Sequence, residues 1–252
     1  MNRKSKTNSY ILTPDQYDAM MTTELEIHIF KTVANEIKNN LKPRKTSILD
    51  LCCGTGLLAQ MLLDLPGIEF VGVDINKTDL ESAREKTKQH QNFRLVLNDA
   101  LTYKTDLRFD IVTLTSAYHH IENKFKTLFL QKVFKLLKNN GILIIYEKLI
   151  RPCKNNKEFA KSNEEFYLRR IEYLKKTESK GLNEKQFNAL LNVCTLSMSA
   201  KEEYKIDYNY LIKDLDKTGF KVVKEQKIWP NEDLFSNNKV GDFIFVAKKV
   251  IL

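Results

Sequence analysis

The sequence predicts an α/β fold built on a doubly wound, mostly parallel sheet of seven strands, in which the last strand is antiparallel. Apolar β-rich runs alternate with amphipathic helical patterns between residues 45 and 148, an order typical of a parallel sheet covered by helices on both faces. The first run ends in a small-residue turn at 52–56 that leads directly into a helix. The first three runs each end near an acid, at Asp50, Asp74 and Asp99.

The 252 residues are enough for one large domain with an elaboration, and we expect a single domain, 1–252. The patterns divide it into N-terminal helices (1–44), a ligand-binding core (45–148), a helical insertion after strand five (149–200) and a closing helix with two strands (201–252). Residues 1–9 are polar, and we expect them to be disordered.

Capping signals mark several helix ends. Thr13-Pro14-Asp15-Gln16 combines a capping hydroxyl, a proline in the first turn and a glutamine three residues after the cap, and Thr23 begins a second helix. Before strand five, Asn139-Asn140-Gly141 is expected to end a helix with Gly141 in a left-handed conformation. Strand five would then occupy residues 142–147.

The formal net charge is +9, and the lysines that produce it are spread along the whole chain. A solvated basic surface explains this composition, and attraction to RNA or another polyanion is the alternative. No apolar run approaches the roughly twenty residues that span a bilayer, so we expect no membrane partner and a cytoplasmic protein. The composition leaves a monomer and a homodimer equally open.

The four cysteines are Cys52, Cys53, Cys153 and Cys194. They include no C-x-x-C spacing and no cluster with histidine of the kind that binds zinc. We therefore expect free thiols in a reducing compartment and no metal.

The three strand-end acids should lie around one crevice, because the carboxyl ends of parallel strands share one edge of the sheet. Asp74 could accept hydrogen bonds from both hydroxyls of a ribose, and Asp99 from the exocyclic amine of an adenine. Each acid, taken singly, could instead cap a turn or a helix. Three acids in register favour a ligand site.

Two cofactors fit the turn. Gly54-x-Gly56-x-x-Ala59, with Asp74 about twenty residues on, matches a relaxed form of the dinucleotide fingerprint. Asp50 stands directly before the turn, however, where its carboxylate would repel a pyrophosphate and attract a cation. A sulfonium that also carries an ammonium group meets this requirement better.

These motifs resemble those of the class I, Rossmann-like, S-adenosylmethionine-dependent methyltransferases. The resemblance covers about residues 45–148 and rests on five runs in order, 49–56, 71–74, 98–100, 109–112 and 136–143. Two departures are visible. Cys52 stands where many members have the first glycine of the loop, and Asn139-Asn140-Gly141 replaces the usual Pro-Gly-Gly.

The resemblance implies S-adenosylmethionine as cofactor, with S-adenosylhomocysteine as the product. Asp50 and the Gly54–Gly56 loop would hold its methionine end, Asp74 its ribose, and Asp99 with Ala100 its adenine. The full set of expected cofactor residues is Tyr17, Asp50, Cys52, Gly54, Gly56, Asp74, Ile75, Asp99, Ala100 and Thr115. Tyr17, like Tyr10, could close over the cofactor from the N-terminal helices or belong to the core or the surface.

The segment after strand four lies where this family places residues that face the acceptor, so Tyr118, His119 and His120 are the candidate catalytic residues. Either histidine could remove a proton from a hydroxyl or amine, although one packed and one exposed histidine is the plainer interpretation. We expect a small-molecule acceptor, methylated on oxygen or nitrogen in preference to carbon.

The insertion should determine the substrate. Residues 180–220 are faintly similar to enzymes that make carboxy-S-adenosylmethionine for transfer-RNA modification, but Phe187 and Asn188 do not match the basic residue expected there. RNA modification and a non-catalytic cofactor-binding module are therefore the alternatives to small-molecule methylation.

Overall fold

The structure is a computed structural model, which describes residues 12–199, 203–231 and 233–250. The expectations for residues 1–9 and for Tyr10 lie outside this part of the chain. The described strands are β1 (Thr46–Leu51), β2 (Ile68–Asp74), β3 (Phe93–Leu97), β4 (Phe109–Thr115), β5 (Leu137–Leu149), β6 (Phe220–Trp229) and β7 (Gly241–Lys249). The described α-helices are α1 (Pro14–Met20), α2 (Glu24–Asn39), α3 (Leu57–Gln60), α4 (Lys77–Thr87), α5 (Asn123–Leu136), α6 (Asn156–Thr177), α7 (Glu184–Met198) and α8 (Tyr208–Lys217).

The strands form one sheet in the order β3-β2-β1-β4-β5-β7-β6. The first five are parallel, and β7 lies antiparallel between β5 and β6. This confirms the predicted fold class, including the antiparallel last strand. The strand order reverses between β1 and β4, so the loops that follow these two strands open a crevice at the carboxyl edge of the sheet.

Buried side chains alternate between the two faces of the sheet, as the two-residue period of a strand requires. In β5, Ile142, Ile144 and Tyr146 pack into a first core with α2, α6 and α7. Leu143 and Ile145 point the other way, into a second core with α5 and α8. The cleft described below lies on the side of the first core.

The N-terminal capping predictions are confirmed. The side chain of Thr13 accepts from the backbone N–H of Gln16, whose own side chain accepts from the N–H of Thr13, which completes a capping box. Thr23 caps α2 by accepting from the N–H of Glu26. These caps fix where α1 and α2 begin and so where they meet the sheet.

The expected end of the helix before strand five is wrong. Helix α5 ends at Leu136, and β5 begins at once with Leu137, which pairs with Phe109. Gly141 is not left-handed; a Cβ there would lie 3.0 Å from the carbonyl oxygen of Phe109. The glycine therefore permits close approach of two strands rather than a helix cap.

The insertion after β5 consists of α6 and α7 in its described part, and α7 packs on α1. Among the described residues, no helix combines the length and the apolar character needed to cross a bilayer.

Candidate active site

A deep cleft opens at the carboxyl edge of the sheet, beside the point where the strand order reverses. It encloses about 980 Å³ when its open mouth is included, within the range of small-molecule sites. Three groups of residues line most of it. The acidic side comprises Cys52, Gly54, Asp74 and Asp79; the ion-pair side comprises Glu26, His119, His120, Lys148, Arg170 and Glu203; the apolar roof comprises Leu12, Met20, Met21, Leu190, Val193 and Leu196.

The loop after β1 is built on left-handed residues. Gly56 has φ of 77° and begins α3, and a Cβ there would lie 2.8 Å from the Cβ of Ala83, so no other residue fits without a shift. Gly54 has φ of 51°, and Cys52 has φ of 60°. Cys52 therefore holds a left-handed conformation at some conformational cost, at the position where the family resemblance leads us to expect a glycine.

Asp74 connects the first two strand ends. One carboxylate oxygen accepts from the N–H of Gly54 and the other from the N–H of Asn76, each at 2.8 Å. Burial raises the pKa of Asp74 even though these two hydrogen bonds oppose the shift. The carboxylate lines the cleft with unused lone pairs, since each of its oxygens can accept twice.

Asp50 lies beneath the loop rather than on the cleft wall. Its side chain is buried, and its Oδ1 accepts from the hydroxyl of Thr113 at 2.7 Å. Burial raises the pKa of Asp50 to about 7, against the hydrogen bond from Thr113 and with a contribution from the charge of Asp74. A cation bound above the loop would favour the ionised form.

Helix α1 is fastened over this loop by Asp18. Its two carboxylate oxygens accept from the hydroxyl of Thr55 and from Nζ of Lys86, each at 2.6 Å. Lys86 also donates to the carbonyl oxygen of Thr55 at 2.8 Å. The contact brings Tyr17 to the cleft, where burial first and neighbouring acids second raise its pKa.

Across the cleft, His119 is held by two acids. Its backbone N–H and its Nδ1 contact the two carboxylate oxygens of Glu147, at 3.0 and 2.6 Å. Its Nε2 lies 3.4 Å from Glu203, and Nδ1 of His120 lies 3.7 Å from the other oxygen of the same carboxylate. Burial holds the pKa of His119 well below its usual range.

Glu203 is ion-paired with the buried Lys205. Burial opposes its ionisation, but Lys205 and the two histidines outweigh burial and lower the pKa of Glu203 to about 2. The carboxylate is therefore charged at neutral pH. The N–H of Tyr204 donates to the carbonyl oxygen of His119 at 2.7 Å, which holds this segment against the turn after β4.

A second buried charge cluster surrounds Arg170 of α6. The guanidinium pairs with Asp242 of β7 and, at 2.6 Å, with Glu26 of α2, and all three side chains are fully or almost fully buried. Nζ of Lys148 lies 3.8 Å from Glu26 and donates to the hydroxyl of Ser116 at 3.2 Å. Within the described part of the chain, Oε2 of Glu26 and Nε of Arg170 have no hydrogen-bond partner, so the cluster retains polar capacity next to the cleft.

The predicted site residues do not all face this cleft. Seven of them line the cleft: the cofactor candidates Tyr17, Cys52, Gly54, Asp74 and Thr115 and the catalytic candidates His119 and His120. Asp50 and Gly56 support the loop from below and behind. Ile75 is 61% exposed next to Asp74, and Asp99 with Ala100 follows β3 outside the lining. Their cofactor roles stay predictions.

The placement of Tyr118 in front of the acceptor is wrong. Its ring is buried in the second core, and its hydroxyl donates to Asp214 of α8 at 2.7 Å. The turn Tyr118–His120 sends Tyr118 to one face of the sheet and His119 to the other. Tyr118 therefore stabilises the packing of α8 and does not reach the cleft.

The sequence reasoning missed most of the ion-pair side. A signal was present for Arg170, which stands in the buried stripe of α6 four residues from Phe166 and from Leu174. Glu26 similarly begins the buried face of α2. A charged residue inside an apolar stripe indicates a buried partner, because an unpaired charge in a core is strongly unfavourable. Their convergence with Asp242 is visible only in the structure.

Comparison with known proteins agrees with this geometry. Residues 48–141 match the family model described as a methyltransferase domain. By sequence, residues 48–141 are a methyltransferase domain. Solved methyltransferases share the fold of the chain.

The proteins to which the chain is similar are methyltransferases of different kinds. A demethylmenaquinone methyltransferase of Staphylococcus aureus is 30% identical over 141 residues, 48% of this chain and 57% of the relative. A solved 1,6-didemethyltoxoflavin-N1-methyltransferase of Burkholderia thailandensis, bound to S-adenosylhomocysteine, is 14% identical with a TM-score of 0.58 over 97% of this chain and 94% of that one. The CurJ carbon methyltransferase is 16% identical with a TM-score of 0.63 over 95% of this chain and 62% of that one. The chain spans about half the length of the curated relatives it matches.

Proposed function

We propose that the protein transfers the methyl group of S-adenosylmethionine to oxygen or nitrogen of a small-molecule acceptor. The observation that carries this proposal is the unequal charge of the two sides of one cleft. The acidic side presents Asp74 and Asp79 with Asp50 beneath, which suits a cofactor whose sulfonium and ammonium are cationic. The ion-pair side is balanced in charge and rich in donors and acceptors, which suits a polar acceptor.

The cofactor would lie along the loop after β1. Gly54 and Gly56 let it approach the backbone without a Cβ in the way, and Asp74 offers its remaining lone pairs to the vicinal hydroxyls of the ribose. When bound, the sulfonium supplies an electrophilic methyl group, so the chain mainly positions an acceptor in line with it. The fastening of α1 by Asp18 would keep water away from that reaction.

The acceptor would lie between the ion-pair side and the apolar roof. Lys148 and Ser116 can orient polar atoms of the acceptor, while Met20, Met21 and Leu190 cover an apolar body. Oxygen and nitrogen carry a lone pair that can attack the methyl group directly, and the polar groups near His119 can assist loss of a proton. The roof, built by α1 and α7, supports a small acceptor over a folded RNA.

Calorimetry with S-adenosylmethionine tests the cofactor assignment. We expect saturable binding by the full chain and affinity about 10- to 150-fold weaker in Asp74→Ala, the loss for one or two charge-assisted hydrogen bonds. Asp64→Ala removes an exposed acid of equal charge and should bind like the parent. Absence of binding, or equal binding by Asp74→Ala, would contradict the assignment.

Incubation with methyl-labelled cofactor and a metabolite extract, followed by mass spectrometry, tests the acceptor class. We expect a labelled small molecule and an equal amount of S-adenosylhomocysteine. Label in RNA, together with RNA binding that weakens steeply with salt, would move the acceptor to nucleic acid. Cofactor binding without turnover on either class would identify a binding module.

A further inference from the structure

We propose that His119, His120 and Glu203 form a binding site for one divalent transition-metal ion, such as Zn²⁺, on the wall of the cleft. The ligand atoms are Nε2 of His119, Nδ1 of His120 and the carboxylate of Glu203. The metal site depends on these three residues alone, whereas a catalytic role for the ion would rest on the proposed function.

The spacing of the ligand atoms fits a metal. All three lie within 4.8 Å of one another, and the two histidine–glutamate distances are 3.4 and 3.7 Å. A tetrahedral ion with bonds of about 2.0–2.1 Å separates its ligands by about 3.4 Å. The cluster would have to contract around an ion, by up to about 1.4 Å between its furthest ligand atoms, to complete three of four positions. The fourth would face the cleft.

Glu147 orients the first ligand. Its carboxylate accepts from the backbone N–H and contacts Nδ1 of His119, so both the turn and the ring are held in place. Nδ1 of a neutral ring then carries the proton, and Nε2 presents its lone pair to Glu203. This is the carboxylate–histidine arrangement that metal-binding histidines commonly use.

The same contact leaves two acceptors facing each other. Nε2 of His119 and Oε2 of Glu203 lie 3.4 Å apart, and a cation placed between these two atoms would bind both. A proton on Nε2 is the competing occupant of this space. The two occupants are distinguished by His120→Ala, which should weaken metal binding if the ion is present and leave it unchanged if a proton on His119 fills the space.

Lys205 limits the strength of the site without closing it. Its ammonium is bonded to Oε2 of Glu203, while Oε1 faces His120. A carboxylate has about four lone-pair positions, so one ammonium does not exhaust them. The positive charges of Lys205 and Lys148 both act on His119 and oppose the binding of a further cation. We expect micromolar rather than nanomolar affinity.

With an ion bound, the two histidines would act as metal ligands and not as general bases. A hydroxyl of the acceptor that occupied the open position would have its pKa lowered by the ion, and its proton could pass to solvent before attack on the methyl group. The free thiol Cys52 stands on the acidic side, and neither it nor the buried Cys53 is part of the cluster.

The test is titration of chelator-treated full-length protein with Zn²⁺ by calorimetry and with Co²⁺ by visible absorption. We expect one ion per chain and a Co²⁺ spectrum of tetrahedral type. His119→Ala, His120→Ala and Glu203→Gln should each weaken binding at least about tenfold, and Glu147→Gln about 10- to 100-fold. His28→Ala, on the exposed face of α2, is the matched control and should bind like the parent.

His120 is half-buried and its replacement is the least disruptive, so His120→Ala carries the test if a buried variant does not fold. Absence of stoichiometric binding, or unchanged affinity in folded His120→Ala, would overturn the site in favour of a proton on His119. S-Adenosylmethionine binding is measured in the same metal-free protein. If the cofactor binds and the metal does not, only this inference fails; if the metal binds and the cofactor does not, only the proposed function fails.

Discussion

The two sides of the cleft are built in different ways. The acidic side comes from the ends of β1 and β2, which lie within 25 residues of each other, and its shape depends on backbone: left-handed turns and N–H groups donated to Asp74. The ion-pair side comes from side chains of α2, the turn after β4, β5, α6 and the segment before α8, spread from Glu26 to Glu203. One side is a local motif, and the other is a product of the tertiary fold.

This difference separates binding from stability. In the described structure, Lys86 at the margin is the one lysine or arginine near the acids of the acidic side. These acids can therefore bind a cationic ligand. On the ion-pair side, by contrast, Glu26 is already paired with Arg170, and Glu203 with Lys205. Substitutions of the acids on the first side should therefore change ligand affinity and pH dependence, and substitution of Arg170 on the second side should change folding stability.

Arg170→Met should have the largest effect on stability. It leaves Glu26 and Asp242 buried without their common partner, and removal of one member of a buried ion pair costs about 3–5 kcal/mol. Urea unfolding should show this loss in the free energy of unfolding. Arg169→Ala, an exposed arginine one position away with a distant partner, should change stability by less than about 1 kcal/mol.

If the free energy of unfolding of Arg170→Met stays within about 1 kcal/mol of the parent, the ion-pair side does not stabilise the fold, and the proposed difference between the two sides is wrong. The distinction would sharpen if Asp74→Ala loses cofactor affinity while its urea midpoint hardly moves. Both variants need the same full-length chain and the same buffer, because surface charges contribute differently as salt changes.

The same difference explains what sequence alone could predict. The alternation of strands and helices between residues 45 and 148 and the caps of α1 and α2 match the prediction, because alternation and capping are local signals. The acids of the first three strands also follow from the local pattern. The ion-pair side does not follow from a local pattern, since no residue near Arg170 in the sequence indicates that Asp242 is its partner.

The errors have local physical causes. Asn139-Asn140-Gly141 reads as a helix end, but the pairing of Leu137 with Phe109 extends the strand through it. Tyr118 and His119 are adjacent in sequence and lie on opposite faces, which only the geometry of a short turn decides. The cluster with Glu203 was missed because that residue lies more than 80 positions from His119.

Asp50 should make the stability of the free protein fall with rising pH. Its folded pKa of about 7 lies above the ordinary value near 3.9, so the folded state holds an extra proton between these values. The contribution is complete below about pH 4 and is lost as pH rises through about 7. Asp50→Asn should therefore remove about 2 kcal/mol of the stability difference between about pH 5 and 7.

Urea unfolding at both pH values measures this, and the comparison between parent and variant isolates Asp50. Asp79, whose pKa burial raises to about 6, contributes a slope that both proteins share. Asp64→Asn should keep the parental slope, because Asp64 is exposed. Saturating S-adenosylmethionine should flatten the parental slope; an equal slope in parent and Asp50→Asn would show that Asp50 is already ionised in the fold.

Cys52→Gly should have the smallest effect on the free energy of unfolding, and it should stabilise the protein where Arg170→Met destabilises it. Cys52 holds a left-handed φ of 60°, which costs a non-glycine residue roughly 1–2 kcal/mol, partly offset by the greater unfolded-state entropy of glycine. We expect a gain of about 0.5 kcal/mol in urea unfolding. Cys53→Gly is the matched control. Cys53 is buried, has no positive φ and packs its Sγ against Gly72, so its replacement should destabilise the protein.

A loss of stability in both variants would mean that the side chain of Cys52 stabilises the fold by more than its left-handed backbone costs. The acidic side would then depend on side-chain packing, as the ion-pair side does.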